Sequence, residues 1–173
     1  LARRVRELLA PVPVALDEQW GLDHGTWAVL CHVFPQADLP VVQLSPDARQ
    51  PAAWHYALAQ RLAPLRDEGV LIAGSGNLVH NLRAYAWGRD DVAPYDWAER
   101  FETQARALML AGDVQPLIEY ESLGRDAQLS IPTPEHYLPL LYVLALRRAD
   151  EAISFPVDGI EGGSISMLTV RVG

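Results

Sequence analysis

The sequence predicts an α/β fold in a single domain, with a mixed or mostly parallel central sheet flanked by helices. Three observations carry this. The length of 173 residues fits one domain. Half of the residues are apolar, enough for a sizeable core. Short apolar runs bounded by Gly, Pro and Ser alternate along the chain with longer stretches of helical period.

Residues 1–9 read as a helix stopped by Pro11, which has no backbone N–H to continue it. Residues 27–34 read as a short buried helix. Residues 39–44 form a compact apolar run ended by Ser45 and Pro46, and read as a buried strand. Residues 52–67 read as a helix with Leu58, Leu62 and Leu65 on one face and Gly69 just beyond its end. Pro64 should bend or shorten its last turn. Residues 70–73 read as a second buried strand that runs into Gly74-Ser75-Gly76-Asn77. Such a junction puts a helix start at the carboxyl end of a strand, where open α/β sheets bind ligands. Residues 97–110 form an amphipathic helix, residues 114–120 a shorter one, and residues 134–146 a helix with Pro134 in its first turn. Residues 153–157 and 166–172 read as strands joined by a Gly-rich connection.

Composition excludes several function classes. The net charge is −8 and the pI about 5.0, against a nucleic acid or anionic membrane partner, since both need clustered Lys and Arg. The one close basic cluster, Arg3, Arg4 and Arg6, reads as the solvated face of the first helix. No apolar run approaches the ~20 residues of a membrane span. Cys31 is the only cysteine, so no internal disulfide forms, which fits a reducing compartment such as the cytoplasm. It lies in the apolar run 27–34 and reads as a buried, inert thiol.

Three of the five histidines sit in small-residue, turn-like settings: His24 in GLDHGTW, His80 in GSGNLVHN and His136 in PTPEHYLP. Neutral imidazole is a common transition-metal ligand and titrates near neutrality. Each histidine alone reads more readily as a hydrogen-bonded structural residue. Three such junctions together favour one site. They recur at an interval of 56 residues, but their flanks share no pattern, so no repeat is implied. His32 and His55 lie in apolar helical stretches and read as structural. Gly74-Ser75-Gly76-Asn77 does not complete a dinucleotide fingerprint, and no G-x-S-x-G elbow makes Ser75 a nucleophile. Asn77 and Asn81 either hold the turn or touch substrate, with the structural role preferred.

These segments carry a family resemblance. GLDHGTW, then PVVQLS, GSGNLVHNLR and PTPEHYLPLLYVL, then the tail PVDGIEGGSISML, resemble the class III extradiol ring-cleavage dioxygenases in their 4,5-DOPA dioxygenase-like branch. The resemblance runs from about Trp20 to Gly173. It implies an enzyme that opens a catechol-type ring with O2 at a bond beside the two hydroxyls, using a non-haem Fe(II) or Zn(II). By resemblance, His136 occupies the position of a later metal ligand, with the adjacent Glu135 as an alternative. His80 is assigned to acid/base work first and metal ligation second, taking a catechol proton and returning it later. His24 matches a further catalytic histidine near substrate or oxygen, which Asp23 either orients or leaves to cap the following helix.

Family members are longer at the N-terminus and carry two metal-binding histidines there, whereas no histidine precedes His24. Residues 1–173 therefore resemble the C-terminal part of the catalytic domain. Incomplete catalysis is expected of this chain alone, together with self-association or another chain covering the missing part. A catalytically inactive binding or structural protein of the same fold is the alternative. A zinc hydrolase, which also uses histidines and an open metal position, is disfavoured.

Overall fold

The computed structural model describes residues 1–89 and 91–173. Helix α1 spans Ala2–Leu9 and buries Val5 and Leu9. Helix α2 spans His24–Val33. The single helix expected over residues 52–67 is split into α3, Ala52–Gln60, and α4, Ala63–Asp67. Pro64 lacks the N–H that would bond the Gln60 carbonyl, so the break falls one turn before it. The expected face survives the break, with Leu58, Leu62 and Leu65 all buried.

Helix α5 spans Asp96–Ala111 and ends on Gly112, whose φ of 71° gives a left-handed cap. Helix α6, Gln115–Ile118, is followed by a 3-10 turn at Tyr120–Leu123 and by α7, Arg125–Ser130. Helix α8 spans Leu138–Ala145 rather than starting at Pro134. Pro139 is the reason, because without an N–H it belongs in a first turn. Pro134 opens a separate turn in which its carbonyl accepts the N–H groups of Tyr137 and Leu138, both at 2.9 Å.

The sheet differs most from expectation. Strand β1, Ile153–Val157, pairs antiparallel with β4, Thr169–Val172, and β2, Ile160–Glu161, pairs antiparallel with β3, Ile165–Ser166. Among the described residues no central parallel sheet forms, and residues 39–44 and 70–73 lie in no strand. The alternation of a strand is still visible. Leu44, Val70 and Ile72 pack inward, while Leu71 is 74% exposed. A strand needs a neighbouring backbone for its ladder, and among the described residues no strand pairs with these runs.

The core has two parts joined by α8. One gathers Val79, Phe101, Ala105, Met109, Leu117 and Leu141. The other gathers Val5, Leu9, Leu58, Leu62, Leu65 and Leu146. Helix α8 is apolar on all sides because it has core on two of them. Helix α2, expected to be buried, buries no residue. Its Trp27, Val29 and Val33 are half exposed or more, and the Cys31 thiol expected to be buried is exposed. Apolar composition marks what a segment can bury, and among the described residues nothing packs over this face.

Candidate active site

Residues 74–81 are held by backbone on two sides. The Asn77 N–H donates to the His136 carbonyl and the His80 N–H to the Ser130 carbonyl, each at 2.9 Å. On the other side, the Ser166 N–H donates to the Val79 carbonyl at 2.9 Å, and His80 forms an antiparallel bridge with Ile165. The neighbours Leu78 and Val79 are 5% and 0% exposed, which anchors the segment in the core. The glycines explain the motif. A Cβ on Gly76 would lie 2.2 Å from the His136 carbonyl oxygen, and one on Gly74 2.6 Å from that of Pro139. Only glycine lets the two backbones meet here.

Both asparagines of the motif act on backbone. Asn77 Nδ2 donates to the Ser166 carbonyl at 2.7 Å, and Asn81 Nδ2 to the Leu129 carbonyl at 2.8 Å.

This clamp brings two of the three histidines together. The rings of His80 and His136 stack with centroids 3.5 Å apart and planes 11° from parallel. Burial pushes the His80 imidazole below its usual range, against the pull of Glu135. Burial does the same to His136, reinforced by the neighbouring His80 and by His24, with Glu135 again opposing. Both shifts favour the neutral imidazole, the form that can accept a proton. Partial burial raises Glu135, but the Thr133 hydroxyl, donating at 2.6 Å, and the two imidazoles outweigh it and keep the carboxyl below its usual range.

His24 stands apart from the stack, exposed at the first position of α2 but close enough to act on the charge of His136. Asp23 caps this helix, its Oδ1 accepting the Thr26 N–H at 2.9 Å, and Gln43 Nε2 donates to its Oδ2 at 3.1 Å. Of the two roles open to Asp23, the structure shows the cap. The Ser75 hydroxyl donates to the Gly25 carbonyl at 2.7 Å and ties the start of α2 to the glycine turn.

Metal chemistry imposes a further test. Among the described residues no group of three or more His, Cys, Asp and Glu side chains is placed to hold an ion. Imidazole binds through a lone pair in its ring plane, and planes 11° apart do not meet near the site. In this arrangement the two rings do not aim their lone pairs at one shared point. A surface cavity of about 380 Å³ adjoins the Pro132–Pro134 turn and is lined by Tyr120, Glu121, Gln128 and Ile131 besides the two prolines, so none of the three histidines faces it.

Two contributors were given no role by the sequence. Ser166 lies within the tail motif PVDGIEGGSISML and Glu102 in the middle of α5. Glu102 was visible as a charged residue on the apolar stripe formed by Ala98, Phe101, Ala105 and Met109.

Comparison with known proteins decides the family. The family described as the catalytic LigB subunit of aromatic ring-opening dioxygenase matches residues 1–154. A 4,5-DOPA dioxygenase extradiol from Escherichia coli (strain K12) is 52% identical over 177 residues, covering 100% of this chain and 65% of that protein. The chain belongs to the class III extradiol dioxygenase family, in its 4,5-DOPA dioxygenase-like branch. A relative of the same name from Beta vulgaris is 36% identical, covering 96% of this chain and 62% of that one. The crystal structure of an uncharacterized Escherichia coli K12 protein superposes with a TM-score of 0.92 at 50% identity, covering 99% of this chain and 71% of that one. This extradiol dioxygenase family member thus spans just under two thirds of the length of the curated relatives it matches. Among its described residues no helix is long and apolar enough to cross a membrane.

Proposed function

We propose that this chain is the C-terminal part of a non-haem, metal-dependent dioxygenase that opens the ring of a catechol-type substrate with O2 at an extradiol bond. One observation carries the reading: the stacked pair of His80 and His136, clamped by the family's own motif residues. In this reading the two rings divide the work. His136 is the donor offered to a divalent ion, Fe(II) or Zn(II), with Glu135 beside it as the alternative. His80 accepts a catechol proton at a ring nitrogen and returns it later. His24 is the further catalytic histidine, reaching the same place from the start of α2. The ion, when bound, would bring catechol and O2 together. Since the described donors do not form a complete set, its remaining ligands come from outside this chain in this reading.

The same reading accounts for the uncovered face. Trp27, Val29, Val33 and Leu71 form apolar surface with no cover among the described residues. In this reading the segment that the longer relatives possess lies against it, and residues 39–44 and 70–73 become strands of a central sheet when their ladders are supplied. Without that segment, copies of this chain associate through it. A cytoplasmic location accords with the single cysteine.

The test is to load the purified chain with Fe(II) without oxygen, then measure bound metal, oligomeric state and catechol-dependent oxygen uptake. Weak metal binding, no turnover and self-association are expected. Tight stoichiometric iron with turnover in a monomer would overturn the incompleteness. A coding segment upstream of Leu1 with two histidine motifs would support it. Loss of ring cleavage even in a chain restored with that segment would favour the alternative, an inactive binding protein of this fold.

A further inference from the structure

We propose that Glu102 is a positioning residue for the His80–His136 pair, acting through the Ser166 hydroxyl; this rests on the roles given to the two histidines above. Glu102 is the one charged residue among the buried positions of α5 and is 8% exposed. A carboxylate in such a place loses its hydration and needs partners. It has two. Arg106 Nη2, one helical turn on, donates to Oε1 at 3.0 Å, and the Ser166 hydroxyl donates to Oε2 at 2.5 Å. Arg106 is itself held by Asp158 at 3.4 Å and lies 5.0 Å from the centre of the Phe155 ring.

Ser166 is the joint. It is 1% exposed, and its oxygen also accepts the Leu168 N–H at 3.1 Å. With that oxygen accepting from Leu168, its single proton goes to Glu102. The backbone of Ser166 faces the other way. Its N–H donates to the Val79 carbonyl at 2.9 Å, and its carbonyl accepts Asn77 Nδ2 at 2.7 Å. Asn77 in turn bonds the His136 carbonyl, and His80 follows Val79 directly. One serine therefore links α5 to both histidines, by its side chain on one side and its backbone on the other.

An apolar residue on the stripe of α5 would fill the same space without the desolvation cost. What the carboxylate adds is a short, charge-assisted bond with a direction. That bond fixes the rotation of Ser166, hence the setting of β3, on which His80 lies through its bridge to Ile165. A residue that merely fills the core would change stability when removed and leave the rings where they are.

The experiment reads the ring protons of His80 and His136 by NMR in the metal-free 173-residue protein, with thermal unfolding measured in parallel. Stacked imidazoles shift each other's signals, so their resonances report the stack. Three variants are compared: Glu102→Ala, Glu102→Gln and Ser166→Ala. Glu102→Ala and Ser166→Ala are expected to shift or broaden both sets of signals while those of His55, buried elsewhere, stay fixed. Glu102→Gln keeps an oxygen that accepts from Ser166 and is expected to restore them. A folded Glu102→Ala protein with a lowered Tm and wild-type His80 and His136 signals would overturn the proposal. If Glu102→Ala does not fold, Ser166→Ala, which deletes one oxygen atom, decides in the same way. No substrate or metal is present, so failure of the ring-cleavage reading leaves this result standing, and the reverse.

Discussion

Two segments of this chain each carry a histidine of the candidate site, and they are held in opposite ways. Residues 74–81 are bonded on one side to Ser130 and His136 and on the other to Ser164 and Ser166, with Leu78 and Val79 sealed in the core. Helix α2, which begins at His24, buries no residue and is tied down mainly by Gln43 on Asp23 and Ser75 on Gly25. The first segment is finished by contacts within the chain. The second presents apolar side chains to solvent. The difference shows that the paired rings and their clamp are fixed by buried contacts within the chain, whereas His24 stands on a helix held by a few surface ties.

Paired glycine variants test this contrast most severely. Gly76→Ala is expected to cost about 3 kcal/mol or more, because its Cβ meets the His136 carbonyl oxygen at 2.2 Å and backbone must move. Gly25→Ala meets only Asp23 Oδ1 and Ser75 Oγ at 3.5 Å, ordinary contact. In the first turn of α2 it is expected to be neutral or to stabilise by up to about 1 kcal/mol. Urea unfolding of the two variants checks both, and equal losses would erase the contrast.

The next effect belongs to His55, fully buried between α3 and α8. Its Nε2 faces the Asp47 carbonyl at 3.1 Å, so Nε2 carries the proton and Nδ1 accepts from the Tyr142 hydroxyl at 2.9 Å. His55→Ala is expected to cost roughly 2–4 kcal/mol, from the cavity and two stranded polar groups. Burial holds the His55 pKa below its ordinary 6.5. Its contribution is therefore present above the unfolded pKa and is lost as pH falls through the lower folded value. Thermal melts from pH 7 downward should show this loss, and His55→Gln should flatten it.

A second acid step is expected lower. Hydrogen bonds from Arg66 hold Glu151 at about 2, against an ordinary 4.5. This contribution is present above 4.5 and fades as pH falls from there towards 2. Glu151→Gln should remove that step and leave the His55 step intact.

The smallest effect on stability is expected on the open face. Trp27→Ser with Val33→Ser should change unfolding free energy by no more than about 0.5 kcal/mol. The same change is expected to reduce the self-association proposed above, read by sedimentation velocity or light scattering. A large stability loss would mean that α2 is packed after all.

Much of this was legible from local pattern. The buried face of α3 and α4 follows from the spacing of Leu58, Leu62 and Leu65, and the end of α4 from Gly69, whose φ is 78°. The structural roles of Asn77 and Asn81 follow from their turn setting. Periodicity fails where the answer lies in a neighbour. Residues 39–44 and 70–73 have the composition of strands, but composition does not supply a ladder. The run 27–34 has the composition of a buried helix, but among the described residues nothing packs over it. The stacking of His80 on His136 was not readable either, because the sequence names both rings and not the distance between them.

The crossing of residues 76–77 over His136 also sets an order of assembly. The joint closes a long loop, and the entropy of that closure is lost before either bond is gained. Within the loop lie α5, α6 and α7, helices whose contacts are local and can form early. The pair of rings is therefore expected to form late, when the His136 turn at the start of α8 docks on residues 76–77. A local release there parts the rings while His80 stays bonded to Ser130 and bridged to Ile165, so His136 is the member of the pair that opens first.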